Sequence, residues 1–319
     1  GVGGSDWIGK KIGGYLYTAV VPPTTDADKV DGMNAYYGGV MPYYSDNFMK
    51  WWREEYIPEL TEMSDKMVNF DFKGEGIPGA MVHLENCLDM FERAFEIHWT
   101  LNYAQAQAST EFQQIYERAV GPVDEDFSLI TVSNDDRNWD SLRDAWKIKE
   151  EICADDAMKQ YWLDNAVQTI RQGLADVPGG KEIVEKIDAY TSEYGWKAIY
   201  THELIYETWI ENNTPIYSAI KDYVEDGYDY PSQIKANNDS QQQAIERART
   251  KIKDVSLRDE FEKRLASNLE FLPLTPDHHF YIDQRIQASM RIMYLGIGDL
   301  FVEAGKLDDR EDIFMLTYD

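Results

Sequence analysis

Basic residues are scarce in this 319-residue chain: 31 Lys and Arg stand against 58 Asp and Glu, for a formal charge of −27. Such a field repels phosphate backbones and anionic lipid, so neither nucleic acid nor a membrane surface is expected as a partner. Long apolar runs are missing too. None approaches the ~20 residues of a membrane span, and no secretory leader is visible, although the chain does not begin with Met. Only two cysteines occur, Cys87 and Cys153, so no disulfide framework is possible and a reducing cytoplasm is the expected location.

Several site chemistries fail at the level of spacing. Gly180-Lys181 is followed by Glu182, and Ala175 stands where a P-loop needs its first Gly. His202-Glu203 has Tyr206 where a zincin needs its second His. The residues three before the five histidines are Ala80, Phe95, Ile199, Thr275 and Pro276, so the Glu-x-x-His pairs of a di-iron bundle are lacking. No Gly-x-Ser-x-Gly elbow is present. No metal ligand set is therefore expected.

Aromatic residues, by contrast, are plentiful: 9 Trp, 21 Tyr and 12 Phe make up 13% of the chain. Most should be core, and some could line a pocket. Apolar periodicity and breakers predict a mainly α, compact multi-helix domain with one long central helix. A short N-terminal extended segment, Tyr15 to Val21, stops at Pro22-Pro23. Helices are expected over residues 45–70 with a bend at Pro58, 78–119, 138–175 with a break near Asp155-Asp156, 182–194, 215–225 and 240–271. Thr275-Pro276-Asp277 has the chemistry of a helix start, and that last helix should run to about Gly305. Residues 195–215 read as an ordered loop, and 228–240 as a mobile one. A single domain spanning residues 1–319 is the expected organisation.

Polar residues on apolar stripes mark candidate sites. Met81, Leu84, Leu88, Phe91 and Phe95 follow a 3-4 spacing that continues onto His98, Asn102, Gln105 and Ser109, then Phe112 and Tyr116. Buried polar groups need partners or a ligand. The readings are a satisfied core network, drift of the stripe toward solvent, or a polar-lined pocket. The last helix carries Tyr281, Arg285, Ala288, Ile292 and Leu295 on one stripe, with His278 one turn earlier. Arg285 there suits a passing anion, or pairs with one of the many acids. His202-Glu203, set among aromatics, suits proton acceptance from a hydroxyl; a plain surface His is the alternative.

Three segments carry a resemblance. The first is Asp277 to Arg285, continued by Val302-Glu303-Ala304-Gly305-Lys306-Leu307 and Glu311-Asp312-Ile313-Phe314-Met315-Leu316-Thr317. The second is Gly13-Gly14-Tyr15-Leu16-Tyr17 with the Pro-Pro after it. The third joins His98-Trp99-Thr100-Leu101-Asn102-Tyr103 to Tyr194-Gly195-Trp196-Lys197 through Trp209 and Pro215. Together they resemble the acceptor-substrate domain of the phosphoenolpyruvate-utilising enzyme family. The most similar branch is that of the phenylphosphate synthase alpha subunit and its relatives acting on cresol or hydroxyacetophenones; rifamycin phosphotransferase is more distant.

The resemblance implies a dikinase-type phosphotransferase. ATP would phosphorylate a His on a mobile domain, releasing AMP and phosphate, and that domain would carry the phosphoryl group to a phenolic hydroxyl. The chain lacks the family's ATP-grasp domain and phosphohistidine motif. It is therefore read as an excised acceptor domain that binds no cofactor itself. Its expected partners are a phenolic small molecule, the phosphohistidine domain of the same full-length subunit, and a separate ATP-grasp subunit holding ATP and Mg²⁺. On this reading His202 is the base, with Glu203 orienting it or replacing it, and His278 is the rival base. Arg285 and Lys197 face the phosphoryl group. His98, Asn102, Tyr103, Trp209, Tyr281 and Asp283 form the pocket wall.

Overall fold

The polypeptide's longest element is α3 (Phe72–Ala119), a short first turn and a long helix joined at a kink at Gly76, and most of the molecule is organised along it. In the computed structural model, residues 6–12, 15–21 and 24–317 are described, with side chains from residue 24. The extended N-terminal run is strand β2 (Tyr15–Val21), paired antiparallel with β1 (Asp6–Ile12). Gly13, Gly14, Pro22 and Pro23, which flank the expected extended run, lie outside the described residues.

Helix α1 (Ala27–Trp51) passes without a break through a π-helical stretch, Trp52–Tyr56, into α2 (Ile57–Val68). Pro58 directly follows the π-helical stretch, and the helix continues past it, so the residue expected to bend the chain does not end the helix. α3 begins at the Asp71 cap and turns at Gly76, whose φ of 60° only glycine adopts without strain. Beyond α3 come α4 (Glu125–Ile130), α5 (Arg137–Cys153), α6 (Asp156–Asp164), α7 (Val167–Leu174), α8 (Gly180–Tyr194) and α9 (Thr214–Asp226). They are followed by α10 (Tyr230–Lys251), α11 (Val255–Phe271) and α12 (Leu274–His278). A second π-helical stretch, His279–Ile286, then leads into α13 (Gln287–Glu303) and a 3₁₀ turn, Arg310–Met315.

Among the described residues, four apolar clusters share this scaffold, the smallest of them joining Tyr194, Trp196, Phe280 and Ala288. The largest packs α1, α2 and the first half of α3 against α13, around Phe48, Trp52, Leu60, Met67, Ile97, Ile286 and Met293. A second joins α5 to α9 around Trp162, Ile170, Tyr217 and Ile220. A third closes the far end of α3 with α4, α10 and α11 around Phe112, Tyr116 and Phe261.

The structure corrects three local expectations. First, the deeply buried line of α3 runs through Ala80, Leu84, Cys87, Ala94, Ile97, Leu101, Ala104 and Ala108. The stripe of larger residues, Met81, Leu88, Phe91 and Phe95, is its half-buried flank. Small side chains let neighbouring helices approach most closely, so the alanines take the centre and the rings take the shoulder. Ser109 is exposed, so the stripe does drift to solvent there.

Second, residues 230–240 are helix and not a mobile loop. Asp229 caps α10, Pro231 occupies its first turn, and Gln233–Asn237 and Lys235–Asp239 pair one turn apart. Third, the last helix does begin at the Thr275-Pro276-Asp277 signal, at Leu274, and runs on to Glu303, but these side chains do not cap it. Thr275 accepts a hydrogen bond from Gln105 of α3, and Asp277 accepts the Arg137 N–H at the start of α5, 2.9 Å away.

Candidate functional site

The second π-helical stretch carries part of a cluster of titratable side chains. His278 and Asp283 are five residues apart, which in an α-helix points their side chains about 140° from each other. The wider π turn, bonded from i to i+5, returns them to one side. His278 Nε2 lies 3.7 Å from Asp283 Oδ2, and His279, one α-turn from Asp283, hydrogen-bonds the same oxygen through Nδ1. His98 arrives from α3, with Nδ1 3.8 Å from Asp283 Oδ1 and its ring centroid 5.0 Å from that of His278.

Burial and charge set the protonation of this cluster. Burial pushes His278 down to about 4, helped by the charge of His279 and opposed by Asp283. Burial also lowers His98, opposed by Asp283 and aided by His279 and His202. His279 is raised, chiefly by its bond to Asp283. Burial pushes Asp283 up, but the His279 bond and the surrounding imidazole charges outweigh it and hold the carboxyl below its usual range. At pH 7 His98 and His278 are therefore neutral.

A second feature, whose lining includes none of His98, His278, His279 and Asp283, is an apolar cavity of about 520 Å³. Met81 and Leu84 of α3, Tyr294, Ile297 and Phe301 of α13, and Ile313 and Phe314 of the 3₁₀ turn form its walls; His202, Glu203, Leu204 and Ile205 close it. These last four belong to the loop 195–213, which is ordered as its sequence suggests. Trp209 N–H donates to Lys197 O at 2.9 Å, Ile210 N–H donates to Gly195 O at 2.9 Å, and Ala198 bridges Thr208.

Arg291, 1% exposed, fastens both cavity walls. It donates a pair of hydrogen bonds to the two Glu211 carboxylate oxygens at 2.9 Å each, donates to Leu204 O at 2.7 Å and to Glu311 at 2.9 Å, and lies over the Phe314 ring. The sequence reading passed over this residue. Its signal was a single charge inside the otherwise uncharged run from Ile286 to Gly298.

The residues singled out from sequence separate into groups. His98, His278 and Asp283 come together, joined by His279, to which no role had been given. His202 and Glu203 sit together at the cavity, with no hydrogen bond between their side chains among the described residues. Lys197 Nζ lies 5.5 Å from the Trp209 ring centre, burial lowers its pKa, and no described carboxylate pairs with it. Arg285 is not on the cavity wall. It donates to Ser64 and Asp65 at 3.0 Å each and stacks on Trp196, so it ties the π stretch to α2. Tyr281 packs edge-on to Trp52 and Phe280, Tyr103 is a half-buried phenol raised by burial beside Tyr37, and Asn102 is half-buried on α3.

Close packing of the C-terminal wall gives a first expected result. A Cβ on Gly298 of α13 would stand 2.3 Å from the Arg310 carbonyl oxygen, which is backbone and cannot swing aside. Helix propensity alone favours Gly298→Ala by about 1 kcal/mol, whereas overpacking costs about 1–3 kcal/mol. The variant should be less stable than the wild type in urea, and trypsin should cut faster after Arg310. A stabilised variant with unchanged cleavage would show that the 3₁₀ turn is not held against α13.

The described residues thus form an apolar hollow edged by His202 and Glu203 and, apart from its lining, a buried histidine–carboxylate cluster. Residues 98–272, more than half of the chain, match the family model described as the rifampicin phosphotransferase fourth domain, and the chain belongs to that family. It is 26% identical over 243 residues to the Uncharacterized phosphotransferase YvkC of Bacillus subtilis (strain 168), covering 74% of this chain and 29% of that protein. It is 24% identical over 328 residues to Chondramide synthase cmdD of Chondromyces crocatus, covering 97% of this chain and 8% of that protein. The chain thus spans under a third of the length of these relatives. No described helix is long and apolar enough to cross a membrane.

Proposed function

We propose that this chain is the acceptor-binding domain of an ATP-dependent, dikinase-type phosphotransferase, and that its acceptor is the hydroxyl of a flat ring: a phenol, cresol, hydroxyacetophenone or lignin-derived phenol. One observation carries the reading: His202 and Glu203 stand at the edge of an otherwise apolar, aromatic-walled cavity. Its volume of about 520 Å³ falls within the ~300–1,000 Å³ of small-molecule sites. The ring lies against Tyr294, Phe301 and Phe314, with its hydroxyl toward His202.

A phosphohistidine on a mobile domain of the full-length subunit delivers the phosphoryl group; a separate ATP-grasp part holds ATP and Mg²⁺. The phenolic oxygen attacks phosphorus, the P–N bond breaks, and its electron pair returns to the carrier imidazole. The phenolic proton passes to His202. A phenol keeps that proton up to a pKa of about 10, so a base in contact with it accelerates attack. Lys197, on the same loop and free of a carboxylate partner among the described residues, is the cation assigned to the phosphoryl oxygens. Alone, this chain binds the acceptor and turns nothing over.

The family description favours a second reading, a bulky non-phenolic hydroxyl of the rifamycin type. Calorimetry on the purified chain with phenol, p-cresol and a rifamycin separates the two. Heat with the simple phenols, lost on filling the cavity by Ile297→Trp, is the expected result. Heat with the rifamycin alone would move the assignment to the second reading, and heat with neither would make the chain a docking module.

A further inference from the structure

The contacts around Asp283 contain a mismatch that hydrogen bonding within the protein does not resolve. The Leu274 carbonyl, 3.1 Å from His278 Nδ1, can only accept, so His278 carries its proton on Nδ1 and turns the lone pair of Nε2 toward Asp283. That nitrogen is 3.7 Å from the carboxylate, and His98 Nδ1 is 3.8 Å from it, both too far for a hydrogen bond. Among the described residues no donor reaches His98 Nδ1 or Asp283 Oδ1, and both atoms are buried. Asp283 is 2% exposed and His278 4%. Three electron-rich atoms from two helical elements thus converge within 4.8 Å of one another.

We propose that His98, His278 and Asp283 bind a first-row transition-metal dication of the Zn²⁺ or Mn²⁺ class. Tetrahedral bonds of about 2.0–2.2 Å place neighbouring ligand atoms roughly 3.3–3.6 Å apart, so atoms now 3.7 and 3.8 Å from the carboxylate, and all within 4.8 Å of one another, need only draw in by about 1 Å or less. Two imidazoles and one carboxylate select against Ca²⁺ and Mg²⁺, which prefer all-oxygen shells. Leu274 O on His278 and His279 on the second Asp283 oxygen are the outer contacts that fix ligand tautomer and aim. Three protein ligands leave coordination positions for a small oxygen ligand. The π turn is what makes the ligand set, because without it His278 and Asp283 point apart. This site goes beyond the acceptor reading and stands without it.

The test uses the purified chain, stripped with a chelator and titrated with Co²⁺ and then Zn²⁺. One Co²⁺ per chain should bind with a visible d–d band and be displaced by Zn²⁺ but not by millimolar Mg²⁺. Asp283→Asn, nearly isosteric, and His98→Gln should each weaken binding by at least about 100-fold; His279→Ala, an outer contact, should do so by about 10-fold. His202→Ala should leave it unchanged. Circular dichroism identifies any variant that fails to fold, and the wild-type stoichiometry and band stand apart from the variants. No band and no heat in the stripped wild type overturns the site, as does binding that survives both Asp283→Asn and His98→Gln. Because the readout is metal binding and not phosphoryl transfer, its failure is separable from failure of the acceptor assignment.

Discussion

Replacing Arg291 with Met should cost about 3–5 kcal/mol, the usual loss when one partner of a buried ion pair is removed and the other left behind. For a chain of this size that is a fall in Tm of about 5–7 °C. The guanidinium is 1% exposed and makes four bonds, to Glu211, Leu204 O and Glu311. Met preserves most of the stem volume, so the loss would be electrostatic. Burial pushes Glu211 up, but the bonds from Arg291 and Thr208 outweigh it and hold the carboxyl below its ordinary value. A carboxylate lowered on folding contributes stability above its unfolded pKa of about 4.3 and loses it as pH falls through the folded one. The stability gap between wild type and Arg291→Met should therefore be full at pH 7 and shrink below about pH 4. A gap that stays constant from pH 7 to 3 would show that lost packing, not the pair, is responsible. Because Arg291 holds both Leu204 and the Phe314 wall, acceptor affinity should fall with stability.

The second large effect is chemical. In the full-length enzyme, His202→Gln should slow single-turnover formation of aryl phosphate by about 10²–10⁴, the usual contribution of a positioned general base. Acceptor affinity should change by no more than a few-fold, because the ring is held by the apolar wall. Glu203→Gln should cost less, since no hydrogen bond joins the two side chains. Wild-type rates in His202→Gln would remove this residue from the proton path.

The helices were legible because breakers and periodicity agree. Gly121-Pro122 stops α3, Gly179 precedes α8, and Gly227 ends α9 in a left-handed turn. The segment 228–240 misled because its Asn, Gln and Asp content is that of a loop, while its cap and i,i+4 pairs are those of a helix. The stripe on α3 was displaced by one position because size was taken as a guide to burial, whereas close helix contact selects alanine. His98 and His278 are 180 positions apart, so no local motif search could join them; the spacing tests for metals looked only within single helices. The π turn has no sequence signature, and it is what brings His278 onto the side of Asp283. Arg291 was visible as an isolated charge, but its three acceptors lie on two other segments.

The central claim is that the hollow closed by the loop 195–213 and the 3₁₀ turn holds a hydroxylated ring. A structure of the chain with p-cresol bound tests it most directly. The ring should lie between Tyr294, Phe301 and Phe314, with its oxygen within hydrogen-bonding distance of the His202 imidazole. An oxygen resting on His98 or His278, or a ring outside that hollow, would contradict the account.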